Sequence, residues 1–165
     1  MTNNSLLGCL VLISSVSLLT MPPHMQPLDG VVSVNAEVQG EVLLLHLQKT
    51  KKGCLAFGFG EEMKKADIFV LEIQNSQLIL KNARLAGYFP PIYDTSTFTL
   101  KEYNLNADST WEAKVECKVP NYFKSSAKEI QRKIIFNYSL TDALEIGHKG
   151  FTNKRGIKDL IIVNL

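Results

Sequence analysis

Between Thr110 and Val119 the chain alternates without a fault, with Trp111, Ala113, Val115, Cys117 and Val119 set against Thr110, Glu112, Lys114, Glu116 and Lys118. Successive side chains of an extended strand point to opposite faces, so this is a strand with one dry face and one wet face, and no helical period fits it. A strand of this kind needs a second layer to cover its apolar side. The same period recurs in Val32, Val34, Ala36 and Val38 against Ser33, Asn35, Glu37 and Gln39, and Gly40 separates that run from Glu41 to Gln48. Gln77 to Ala86, Thr97 to Tyr103, Lys133 to Leu140 and Ile157 to Val163 read as further strands. Roughly nine short strands with turn residues between them predict an all-β, antiparallel β-sandwich. A length of 165 residues, 45% hydrophobic and 21% charged, suits a single core of this type.

One segment departs from the strand pattern. Lys124 to Lys133 carries Ser126 and Glu129 at the spacing of a capping box, which predicts one short helix in a loop. The N-terminal region differs again: Met1 to Leu28 holds no charged side chain, and Leu6 to Leu19 is apolar. That run is short for a bilayer span and right for the core of a signal peptide. Residues 1–25 are therefore expected to be a signal peptide, or else an uncleaved membrane anchor, with the folded domain over 30–165 and a secreted, extracellular location.

Net charge narrows the partners. At +2, with a pI near 8.4 and scattered basic residues, the chain has no footprint for nucleic acid. Of its cysteines, Cys9 lies in the expected export segment, leaving Cys54 and Cys117. An oxidising compartment could bridge them, but parity opposes it. Cys117 is in phase with Trp111, whereas Cys54 is out of phase with Leu55, Phe57 and Phe59, so the two thiols are expected on opposite faces and free. Asn137-Tyr138-Ser139 is a glycosylation sequon inside an expected strand.

The stretch from Gly53 to Ile73, GCLAFGFGEEMKKADIFVLEI, reads as a hairpin with Met63 at its tip. Leu55, Phe57 and Phe59 alternate with Ala56, Gly58 and Gly60, giving a strand with one face buried and the other nearly bare, and glycines in a strand mark a bulge or a close approach. The charged turn Glu61, Glu62, Lys64 and Lys65 gives a thioether little local reason to be there. Near the other end, GHKGFTNKRGIKDLIIVNL places His148 before Arg155-Gly156 and a final apolar strand.

These two segments together resemble DOMON domains: small and aromatic residues, a Met, an Ala-Asp before a hydrophobic strand, and later a His, an Arg-Gly and a closing strand. The resemblance runs from about Val31 to Leu165 and implies a β-sandwich. Cys54 stands where such domains often carry a tryptophan. In haem-binding members the corresponding Met and His are the axial ligands of a b-type haem, which would be Met63 and His148 here, with His46 in reserve. Met–His ligation is an established haem arrangement, and a soft thioether favours ferrous iron. The two ligands are expected to converge at one end of the sandwich, with the strand Leu55 to Gly60 as a pocket wall. Met63 could instead plug the core, and His148 could be a solvated loop residue.

Two functions follow from the resemblance. The first is a secreted haem b module in one-electron transfer with a redox partner protein or a membrane b-type cytochrome. The alternative is a haem-free module that binds a sugar or other small ligand, or serves as an extracellular interaction domain. Catalysis by the chain alone is not expected: Gly58-Phe59-Gly60 lacks the third glycine and the helix of a dinucleotide loop, and there is no nucleophile elbow, zincin motif or zinc-type cysteine spacing.

Overall fold

The alternating strands meet in one continuous sheet that doubles back over its own apolar face. In the computed structural model the described residues are 24–60, 64–86, 89–93, 97–140 and 154–165. They form β1 (Gln26–Asp29), β2 (Val32–Gln39), β3 (Val42–Lys49), β4 (Leu55–Phe59), β5 (Lys64–Gln74), β6 (Gln77–Ala86), β7 (Phe89–Tyr93), β8 (Phe98–Leu105), β9 (Trp111–Lys118), β10 (Glu129–Tyr138) and β11 (Lys154–Asn164). The order across the sheet is β7-β6-β5-β4-β10-β11-β2-β3-β9-β8, with β1 beside β2. Every pairing is antiparallel except β11 with β2. The result is the expected β-sandwich, drawn almost into a barrel.

Two side-chain amides complete ladders where backbones do not meet. Asn82 on β6 donates from Nδ2 to the Phe98 carbonyl at 2.9 Å and accepts from the Phe98 N–H at 2.7 Å, joining β6 to β8 across the open seam. Gln26 on β1 does the same for Ile161 on β11, donating at 2.7 Å and accepting at 2.9 Å. Each amide presents one donor and one acceptor in a plane, as a peptide group does, and so stands in for a neighbouring strand.

The interior is built from the faces that the alternation marks. Val32, Val34, Ala36 and Val38 of β2, Leu43, Leu45 and Leu47 of β3, and Trp111, Ala113, Val115 and Cys117 of β9 are all buried in one cluster. An aromatic chain crosses it: Phe98 to Phe69 at 4.9 Å, Phe69 to Phe57 at 5.5 Å, Phe57 to Phe59 at 5.6 Å and Phe59 to Phe123 at 4.8 Å between ring centroids. Most of these contacts are edge-to-face, the arrangement that ring quadrupoles favour.

The expected helix is replaced by a strand. Glu129 opens β10, which pairs with β11 from Glu129 opposite Val163 to Tyr138 opposite Lys154. Ile130 and Ile134 lie four apart, a spacing that serves a helix face or one strand face equally, and the ten-residue ladder with β11 decides between them. Ser126 and Glu129 make no capping box; instead the Ser125 hydroxyl accepts from the Ala127 N–H, and Asn164 ties the loop by donating to the Ser125 and Ala127 carbonyls. Among the described residues the only helical element is a single 3-10 turn at Asn121–Phe123. The strands absent from the sequence reading are β1 and β7, which contain Pro27 and the pair Pro90-Pro91. Proline removes a ladder donor and argues against a strand; β7 tolerates it because it forms the sheet edge.

Candidate functional site

Strand β4 is buried on both faces, not on one. Leu55, Phe57 and Phe59 fill the interior, while Cys54 and Ala56 belong to a second apolar cluster with Ala66, Ile68 and Val70 of β5, Ala83 and Leu85 of β6, and Ile135 of β10. The register sets these in rows across the outer face. Arg155, Asn137, Ala56, Val70 and Lys81 form one row, and Ile157, Ile135, Gly58, Ile68 and Ala83 form the next. Small side chains occupy the middle of both. The face is bounded on one side by a part-buried ion pair, Lys81 Nζ to Glu72 at 2.6 Å, with Glu72 also accepting from Gln74.

The expected pocket wall is thereby corrected. Phe57 and Phe59 point inward and are packed against Phe69 and Phe123, so no slot exists between those aromatic rings. Gly58 does mark a close approach, but the neighbour is protein: a β-carbon there would press on the Ile68 side chain and lie 2.6 Å from the Asp67 carbonyl oxygen. Gly156 has a similar cause, since its missing β-carbon would sit 2.7 Å from the Phe136 ring. In both cases a bulky residue on the paired strand lies over the glycine, a signal present in the sequence only as an unexplained small residue.

Met63 and His148 lie outside the described residues. The strands that hold their connections are described, and they place the starting points apart. Residues 61–63 follow β4 at the end where the Gly60 N–H donates to Lys133, and residues 141–153 follow β10 at the other end, where the Ser139 N–H donates to Cys54. At ~3.3 Å per residue Cys54 and Gly60, which flank β4, are roughly 20 Å apart. The connections thus leave from opposite ends of one sheet face, with the small-residue cluster between them.

His46, the reserve ligand, is in the wrong layer. It sits on the outward side of β3, between Asn35 of β2 and Lys114 of β9, in the middle of the sheet and not at an edge. It is buried with Nε2 unpartnered, and burial, aided by the Lys114 charge, lowers its pKa. Neutral imidazole is the form that ligates a metal, but no group of three His, Cys, Asp or Glu that could hold a metal ion occurs among the described residues.

The two cysteines lie in separate clusters, both as buried free thiols, as their parity implies. Burial, with the Glu72 charge nearby, pushes the Cys54 thiol up to about 11, and burial pushes Cys117 up to about 12. Both are protonated at neutral pH and so poor nucleophiles. Sequon residue Asn137, near the end of β10, is 4% exposed, which leaves no room for a glycan.

Lys49 closes the end of the core beside this region. It is 1% exposed, donates to the Lys51 and Lys52 carbonyls at 2.8 and 2.7 Å, and lies 5.3 Å from the centre of the Tyr138 ring. Burial lowers its pKa from 10.5 to about 8. Between those values the unfolded chain holds a proton that the folded chain has released, so the lysine's contribution to stability rises with pH across that window. Buried Cys54 and Cys117 act in the opposite sense above their ordinary value of 9, because their folded pKa values are raised. The comparison of wild type with Lys49→Met cancels Cys117, and the same comparison in a Cys54→Ala background removes Cys54, whose charge interacts with Lys49. Denaturation of both proteins should show the difference moving in favour of wild type, by at most about 3 kcal/mol, from pH 8 to pH 10.5. A difference independent of pH would mean that the buried amine titrates normally.

No known sequence family matches the chain, and no curated protein matches it. Solved structures do match its fold. The cytochrome b domain of pyranose dehydrogenase from Coprinopsis cinerea superposes with a TM-score of 0.58 at 9% identity, over 79% of this chain and 75% of that one. The cytochrome domain of Myriococcum thermophilum cellobiose dehydrogenase gives a TM-score of 0.53 at 10% identity, over 81% of this chain and 74% of that one. The chain therefore shares a β-sandwich fold with these cytochrome domains.

Proposed function

We propose that this chain is a DOMON-type haem b module that passes single electrons to and from a redox partner, with Met63 and His148 as the axial ligands. The observation that carries the reading is the second apolar cluster on the outer face of β4, β5, β6 and β10, where Ala56, Ala66, Ala83 and the glycine at 58 keep the side chains small between the two connections that contain the Met and the His. The likeness in fold to two cytochrome domains agrees with it. The cofactor would then lie along this face and not at one end of the sandwich. His148 is six residues from Lys154, a reach of at most ~20 Å. That distance exceeds the length of β4, about 13 Å at ~3.3 Å per residue, so the connection is long enough to bring the imidazole over the face.

Bound haem would supply a one-electron couple, and a Met–His set with both axial positions filled favours electron transfer over oxygen chemistry. The protein's part is to keep water away and to hold the ring on a low-dielectric surface. Export by residues 1–25 and a separate redox protein or membrane b-type cytochrome as electron donor or acceptor belong to the same proposal.

Hemin titration of the purified protein, followed by absorption spectra of the oxidised and reduced forms, tests it. Wild type should give a six-coordinate low-spin spectrum. Met63→Leu, which keeps the volume and removes the sulfur, and His148→Ala should each lose that spectrum, and Met63→Leu should change the melting temperature little. His46→Ala should leave the spectrum unchanged. Absence of hemin binding by wild type would overturn the cytochrome reading in favour of the haem-free module, which binds a sugar or another small ligand or acts as an interaction domain.

A further inference from the structure

The sheet stays open along one line. Its path ends at β7 and β8, and the Asn82 amide on Phe98 bridges the seam between β6 and β8. Beyond that bridge, among the described residues, β6 pairs only with β5 over 77–82, and β8 pairs only with β9. The ladders fix which backbone groups face the gap. Both Phe98 groups go to Asn82 and so point away from β9, and in an antiparallel ladder that direction returns at alternate residues: at Leu100 and, past the bulge in which Lys101 is the extra residue, at Tyr103 and Leu105. The Asn106 N–H, one residue out of phase, donates to Thr110. On β6 the two-residue turn Asn75-Ser76, with φ of 49° and 61°, makes Gln74 and Gln77 a hydrogen-bonded pair, so the backbone groups of Leu78 and Leu80 face the seam. The same residues turn their side chains toward the core, which is not sealed there: Leu80, Leu100 and Leu105 are half-buried against it, and Tyr103, opposite inward Ala113, is 40% exposed. Lysines often guard such edges, but the Lys101 ammonium is held 2.9 Å from Glu116 on the outer face and leaves this one open.

We propose that the seam between β6 and β8 is a strand-addition site for an extended segment of a partner polypeptide with apolar side chains at alternate positions. The backbones of Leu100, Tyr103 and Leu105 supply the ladder, with Leu78 and Leu80 across the gap, and the apolar side chains of the segment complete the core. Asn82 shows the principle within the chain, because it feeds Phe98 one donor and one acceptor where a strand would. Charges along the rim are already matched, Lys81 with Glu72, Lys101 with Glu116 and Lys114 with Glu102, so the site selects on backbone extension and apolar period, not on charge. A second copy of the chain is the poorer occupant: its own edge strands turn their apolar side chains into their own core and have none left to fill this gap. The inference is independent of haem.

The test uses full-length protein and two fluorescein-labelled peptides, acetyl-Lys-Thr-Val-Thr-Val-Thr-Val-Lys-amide and the same peptide N-methylated at every Thr and Val, which keeps the side chains and removes the ladder donors. Fluorescence anisotropy should show saturable binding of the first peptide by wild type, and binding of the methylated one at least about tenfold weaker, because acceptors on the edge are left unpaired. Tyr103→Pro deletes one seam-facing N–H and leaves the bonds to β9 in place, as proline on an edge does. It should keep the circular dichroism of wild type and bind the first peptide about tenfold more weakly. No saturable binding by wild type, equal binding of the two peptides, or undiminished binding by the folded variant would each overturn the proposal. A wild-type dimer in sedimentation that Tyr103→Pro abolishes would assign the edge to a second copy and overturn it as well. If the variant does not fold, the comparison of the two peptides decides.

Discussion

Trp111→Ala should be the most damaging single substitution in the sandwich, costing about 3–5 kcal/mol for the lost volume and contacts. Trp111 is 1% exposed on β9, and its indole Nε1–H donates to the Gly53 carbonyl at 2.8 Å. That bond crosses the interior and fastens β9 to the turn before β4, so truncation opens a cavity and also strands a buried carbonyl. For a domain of this size the melting temperature should fall by about 10–15 °C. Trp111→Phe separates the two effects, since it keeps much of the apolar area and removes only the donor; it should cost about 1–2 kcal/mol. Denaturant unfolding of the three proteins checks the order. If Trp111→Ala melts with wild type, β9 does not pack as described.

Gly58→Ala should destabilise by about 3 kcal/mol, although it adds one methyl group to a strand. The new β-carbon would press on the Ile68 side chain and on the Asp67 carbonyl, 2.6 Å away, while β4 and β5 remain paired at Gly58 and Ile68. A side chain can rotate away, but the Asp67 carbonyl belongs to the neighbouring strand and can retreat only by distorting the ladder. The double variant Gly58→Ala, Ile68→Ala should therefore be more stable than the sum of the single effects, by about 1 kcal/mol, yet less stable than Ile68→Ala alone. Full additivity would mean that Ile68 does not lie over the glycine. The effect also bears on the proposed site, because Gly58 and Ile68 lie in the middle of the outer face.

Much of the main core was legible in the alternation of β2, β3 and β9, because each side chain's face follows from its own position in an extended strand. The opposite placement of Cys54 and Cys117 was legible for the same reason. Lys124 to Lys133 misled because a capping pattern is a local signal, while the partner that made Glu129 to Lys133 a strand is β11, some thirty residues away. The bare face expected on β4 was wrong in a related way. Ala56 and Gly58 look like an exposed or ligand-facing surface, but Ile68 of β5 and Ile135 of β10 pack beside them.

What the amino-acid order determined by itself is the period of two, and with it the all-β class and the inward residues, since steric alternation along a strand needs no partner. What only the tertiary structure decided is what lies across each strand: the proline-bearing margins β1 and β7, the Asn82 and Gln26 amides that complete the ladders, the second buried face, and the burial of Asn137. Burial and hydrogen-bond satisfaction are properties of neighbours brought together over long stretches of chain. An asparagine therefore reads the same in sequence whether its amide meets water, a glycan, a carbonyl or nothing.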